Sequence, residues 1–220
     1  IHHRQSYNRD HQEGERMAVK VGKPTGNARR QLSYVVLNVD NIRPEKSLTA
    51  PHKYSAGRNS CGRSTAQNRG GQQKRLYRHL DFKLHTFIGQ SATVESIEYD
   101  PNRTANIAKI SFKDGQKTYI IAPEKLKKGD TVSIDEKTAV KVGNRMKIKN
   151  IPPSTEIHNI ELTQGVGGQI IRSAGTYAIL MGIDEKIATI KLPSGEVRKV
   201  LSDNFASIGV VSNSRSEEHT

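Results

Sequence analysis

The sequence predicts an all-β protein, with two small barrels in tandem after a basic extended N-terminal arm. Three observations carry that expectation. From Leu76 onward, short apolar runs alternate with polar residues at a period of two, and helical periodicity is nearly absent. Turn signals rich in Gly, Pro, Asn and Asp separate those runs. Before Leu76 the chain is polar, basic and glycine-bearing, with one apolar cluster.

The arm covers residues 1–75. Its first sixteen residues balance Arg4, Arg9 and Arg16 against Asp10, Glu13 and Glu15, whereas residues 17–75 hold twelve Lys/Arg and only two acids, Asp40 and Glu45. Most of the formal charge of +13 therefore sits in this zone, and no acid occurs from Lys46 to Leu80. The stretch GRNSCGRSTAQNRGGQQKR at 57–75 has no large apolar side chain, five cations and four glycines. A single-sign block repels itself and condenses on a polyanion. A membrane-binding segment would need an apolar face, which this one lacks, so nucleic acid is the expected partner and a membrane is not. LSYVVLNV at 32–39 can supply one short strand. For a free chain the same composition suits a disordered basic tail equally well.

The first barrel is expected over 76–142. ATVESIEY (92–99), ANIAKISF (105–112), KTYIIAP (117–123) and TVSI (131–134) read as strands, and the KDGQ turn carries Asp114-Gly115 for a tight hairpin. In ATVESIEY the apolar phase slips between Ser96 and Ile97, which predicts a β-bulge. GNRMKIKNIPPS (143–154), with its double proline, reads as an extended connector opening the second barrel, over 143–220. There TEIHNIEL (155–162), TYAILMGI (176–183), IATIKL (187–192), EVRKVL (196–201) and ASIGVV (206–211) are the expected strands. The usual solutions with about five strands are an OB-fold and an SH3-like barrel, and the former commonly binds nucleic acid.

Composition excludes several classes. No run of about 18 apolar residues exists to span a membrane. The segment before Met17 has no apolar core for a secretory signal, and its three acids argue against a typical transit peptide. Cys61 is the only cysteine, which rules out an internal disulfide and a cysteine-based zinc site and fits a reducing compartment.

GVGGQII at 165–171 fails the dinucleotide pattern, because residue 170 is Ile where the third glycine belongs. No phosphate-loop or nucleophile-elbow motif occurs, and the eight histidines show no metal spacing, so no cofactor or metal is expected. His158 alternates with Ile157 and reads as solvent-facing or at a core edge. His79, Asp81 and Ser173 form no convincing triad, so no enzyme is expected. The glycines at 165, 167 and 168 suit either close passage of an RNA backbone or a wide turn at a barrel corner. Arg172, the one cation between Lys149 and Lys186, favours the first reading.

Longer motifs carry a resemblance. YDPNRTANIAKISFKDGQKTYIIAPEKLKKGD, KNIPPSTEIHNIEL, GVGGQIIRSAGTYA and LPSGEVRKVLSDNFASIGVVSN occur in this order, preceded by GRNSCGRSTAQNRGGQQKRLYRHLDFK. Over roughly residues 17–220 the chain resembles the universal large-subunit ribosomal protein L-two family, in its bacterial or organellar form. The resemblance implies a basic extension, an OB-fold and an SH3-like barrel bound to large-subunit rRNA beneath the peptidyl-transferase region. It places the family's RNA-gripping arginines at Arg103, in DPNR, and at Arg172, before SAG. Arg58, Arg63, Arg69, Lys74, Arg75 and Arg78 are the further expected rRNA contacts, with Gly167 and Gly168, and neighbouring ribosomal proteins are expected partners.

The chain departs from the family in three places. GGQQK at 70–74 lacks the family's histidine, LHTFIG at 84–89 stands where a basic stretch is usual, and the sequence ends at RSEEHT without a DHPHGGG-like tail. Either that tail lies outside the sequence or a split gene supplies it on a second chain. Splitting and the Ile-, Lys- and Asn-leaning strands point to a mitochondrial ribosome, with plastid and bacterial origins open. The rival functional reading is a free RNA-binding translation factor or RNA chaperone, and an enzyme with an unrecognised barrel site ranks third.

Overall fold

Side chains of a strand alternate between faces, so short alternating runs joined by tight turns build sheets that bury one face. The computed structural model describes residues 19–21, 23, 25–27, 33–35, 39–40, 42–51, 55–69 and 75–214. Over these the protein is all-β; the only helical elements are three-residue 3-10 turns.

The chain divides into a unit of residues 1–38 and a unit of residues 39–220. The first contains β1 (Val19–Val21) and β2 (Ser33–Val35), antiparallel with Lys20 opposite Tyr34. β2 falls within the apolar cluster at 32–39.

The second unit opens with β3 (Thr49–Pro51), which pairs antiparallel with β4 (Leu76–Arg78). There follow β5 (Gln90–Glu98), β6 (Ile107–Phe112), β7 (Lys117–Ile121) and β8 (Thr131–Ile134). Next come β9 (Arg145–Lys147), β10 (Glu156–His158), β11 (Ile160–Glu161) and β12 (Gly168–Ile170). The last four are β13 (Ala178–Asp184), β14 (Ile187–Lys191), β15 (Val197–Leu201) and β16 (Phe205–Ile208). β11 and β12 pair separately, and the rest of β5 to β16 form one sheet in the order β15-β14-β13-β10-β16-β9-β8-β5-β6-β7. Its two halves meet at the only parallel pairing of this sheet, Ile134 with Arg145. Among the described residues no pairing closes either half into a ring; strand number and composition are those of two small barrels, but the hydrogen-bonded sheet is open.

Each half buries its own core. Ala92, Val94, Ile110, Phe112, Val132 and Ile134 fill the first, and Met146, Ile148, Ile157, Leu180, Ile190 and Ala206 the second. A third, smaller cluster of Ala105, Ile121, Ala174 and Val211 draws from both halves and packs against Leu80 and Phe82.

The bulge lies in β5, where the register shifts between Val94 and Ser96, so Glu95 is the extra residue. Its carboxylate reaches Lys117 at 2.9 Å and Lys109 at 3.2 Å. Beyond it Ser96 and Glu98 are buried on the opposite face, where Ser96 Oγ and Tyr119 Oη donate to the Glu98 carboxylate at 2.9 and 2.8 Å.

Three expectations are corrected. The connector at 143–154 contains a strand, β9, because Met146 and Ile148 point into the second core and β9 pairs with β16. The single strand expected at 155–162 breaks into β10 and β11 at Asn159, whose φ of 48° ends the extended run. His158 is not at the surface: it is 1% exposed, with Nδ1 2.7 Å from the Gly209 carbonyl oxygen. Burial pulls its pKa down to about 4, so the imidazole is neutral near pH 7.

Candidate nucleic-acid interface

The turn after β5, DPNR, is built by Asp100, whose buried carboxylate accepts from the Asn102 backbone N–H at 2.9 Å and lies 3.5 Å from Arg103 Nε. The end of the basic block is pinned to the same turn. Arg75 Nη1 donates to the Pro101 carbonyl at 3.2 Å, and Asn102 Nδ2 donates to the Leu76 carbonyl at 2.9 Å.

Arg172 approaches from the other half. The loop before it is threaded through very tight space: the Gly168 N–H donates to the Phe82 carbonyl at 3.0 Å. A Cβ on Gly167, at φ +96°, would lie 3.0 Å from that carbonyl oxygen, and one on Gly168 would lie 2.7 Å from the Asn159 carbonyl oxygen. The close approach that these two glycines permit is therefore to the chain's own backbone, and both are buried. Gly165 has open space and belongs to the loop's exposed crown, residues 163–166. Ile171 has φ 58°, a strained value for a β-branched residue, and it turns the chain out of β12 just before Arg172.

Phe82 brings the two arginines together. The Arg103 guanidinium lies 5.0 Å from the centre of its ring and that of Arg172 lies 4.8 Å away, both within cation–π range. Arg172 Nη1 also reaches the Gly168 carbonyl at 3.5 Å, but among the described residues no carboxylate pairs with it. Exposed Lys83 follows on the chain. The result is a basic cluster of Arg75, Lys83, Arg103 and Arg172 gathered by one turn, one glycine loop and one aromatic ring.

Glu161 of β11, the register partner of Gly168, forms a buried ion pair: Arg145 Nη2 is 3.1 Å from Glu161 Oε1, with both side chains nearly inaccessible. Arg145 Nη1 donates to the Asn159 carbonyl at 3.0 Å, and Glu161 Oε2 accepts from the Phe205 N–H at 3.2 Å. Burial pulls the Arg145 pKa down and Glu161 opposes it. Through Asn159, whose carbonyl Arg145 holds and against which Gly168 packs, the pair adjoins the glycine loop.

The remaining expected residues are placed elsewhere. Arg58, Arg63 and Arg69 are exposed on a hydrogen-bonded loop of residues 55–69, in which the Gly57 carbonyl accepts from Thr65 and Ala66 and Asn59 Oδ1 accepts from the Arg63 N–H. Arg78 is half-buried, and its Nη1 donates to the Leu76 carbonyl at 2.7 Å. Lys74 lies outside the described residues. Asp81, weighed for a triad, uses its carboxylate to accept from the N–H groups of Lys83 and Leu84. Sequence reasoning missed Phe82 and Lys83; an aromatic beside a cation, in a chain with only four Phe, was the available signal.

Two family models match this chain: the RNA binding N-terminal domain of Ribosomal Proteins L2 over residues 45–134, and the C-terminal domain of the same proteins over residues 141–220. The chain belongs to the ribosomal protein L2 family. Membership implies a structural, rRNA-binding role in the large ribosomal subunit.

Proposed function

We propose that this chain binds large-subunit rRNA near the peptidyl-transferase region through Arg103, Arg172 and Arg75, with Arg58, Arg63, Arg69 and Lys74 of the basic block and Arg78 adding phosphate contacts. The observation that carries this reading is the paired guanidinium groups on Phe82, of which Arg172 has no carboxylate partner among the described residues. Two fixed cations from separate elements suit a folded RNA backbone, where phosphates lie close together and guanidinium forks grip them. Gly167 and Gly168 serve by holding the loop tight enough to present Arg172. The exposed loop at 55–69 adds cations with no apolar surface, as expected of a segment lodged between RNA helices.

The polypeptide does no chemistry in this reading; it supports RNA and, through it, translation and subunit association. The compartment we assign is the mitochondrial ribosome, on the Ile-, Lys- and Asn-leaning strands. Replacing Arg103 and Arg172 together by Ala should abolish stable incorporation into the large subunit while the purified chain stays folded. Normal incorporation of that variant would contradict the assignment.

A further inference from the structure

We infer that Phe82 is a positioning residue for RNA capture, and that its ring holds Arg103 and Arg172 as a single two-cation unit. This rests on the RNA-binding reading of the two arginines and goes beyond it, because it places the coupling in an uncharged residue that need not touch RNA.

Arg103 and Arg172 come from different halves of the large sheet's unit, one from the turn after β5 and one from the strained exit of β12. Two like charges brought to one place repel, and among the described residues only Arg103 of the two has a carboxylate nearby. The negative face of an aromatic ring attracts both cations without neutralising either, which a carboxylate would do. Arg172 therefore keeps its full charge and spare N–H donors for an anionic ligand, whereas Asp100 offsets part of the charge of Arg103 at its Nε and leaves the terminal N–H groups as donors.

Phe82 is itself fixed from three sides. Its ring packs against the small cluster of Ala105, Ile121, Ala174 and Val211. Its carbonyl accepts from Gly168. The residue before it, Asp81, donates its N–H to the Tyr119 carbonyl at 3.0 Å. A ring held in this way limits the rotamers of both arginines before RNA arrives, so less side-chain entropy is lost on binding.

The test is an epistasis measurement with the full chain and an in-vitro transcript of the host's own large-subunit rRNA. Phe82→Leu keeps an apolar side chain in the cluster and removes the ring. It should weaken RNA binding about tenfold. It should also lower the salt slope of log K by about 1.5, the share of two phosphate contacts. In that background, Arg103→Ala or Arg172→Ala should cost little more, whereas each alone is costly in the parent chain. Phe82→Tyr, which keeps the π face, should bind like the parent. If Leu unfolds the junction by thermal melt, Phe82→Met makes the same comparison. Parent-like affinity and salt slope without the ring, or full arginine effects in its absence, would overturn the inference and leave the RNA-binding reading intact. Failure of the parent chain to bind the transcript would overturn both.

Discussion

At the residue scale, His158 and the Arg145–Glu161 pair each contribute to stability in a way that can be measured. His158 is neutral in the fold with a pKa lowered to about 4, whereas an unfolded chain protonates it near its ordinary value of 6.5. The unfolded state thus binds more protons between these values, and the stability that His158 confers is complete above about pH 6.5. It is lost as pH falls toward 4, by about 3 kcal/mol in total, and changes little below that. Denaturant unfolding of the parent and of His158→Gln across pH 4–7.5 checks this: the difference between them should shrink by that amount on acidification, and a pH-independent difference would contradict it. The Arg145–Glu161 pair makes a second prediction. Arg145→Met leaves the buried Glu161 carboxylate with only the Phe205 N–H and, at 3.4 Å, His85 Nε2, and should cost about 3 kcal/mol in urea unfolding, part of which Arg145→Met with Glu161→Leu recovers.

At the element scale, the loop between β11 and β12 carries the most specific claim. Gly168→Ala would drive a Cβ into Asn159 and should cost about 3 kcal/mol in thermal or urea unfolding. Gly165→Ala meets only open space and should cost about 1 kcal/mol for its positive φ. Gly168→Ala should also weaken RNA binding, since it displaces the hydrogen bond to Phe82; equal costs for the two variants would show that the loop is not packed as described. The strands were legible because their apolar alternation is local: TVSI became β8 without shift, and the β5 bulge fell within two residues of its phase slip. What was illegible is set by distant contacts. The open sheet depends on which strands meet across the middle, His158 bonds the Gly209 carbonyl far along the chain, and β9 is a strand because β16 and β8 lie beside it. The candidate site divides the same way. Its cations could be read from charge and motif, whereas the ring that gathers them is visible only in three dimensions.

At the scale of the whole molecule, the formal charge of +13 is concentrated ahead of the large sheet, while the sheet's own surface mixes signs. Such a chain gains its affinity from many phosphate contacts and releases counterions as it binds. On the proposed reading, a long basic segment lodged in RNA also resists exchange, which separates a resident subunit component from a factor that cycles on and off. The most direct test of that claim is a sucrose gradient of native lysate at high salt, with this chain followed by mass spectrometry in every fraction. The account predicts that it stays with the large subunit. Release to the top of the gradient, with subunits otherwise intact, would contradict it.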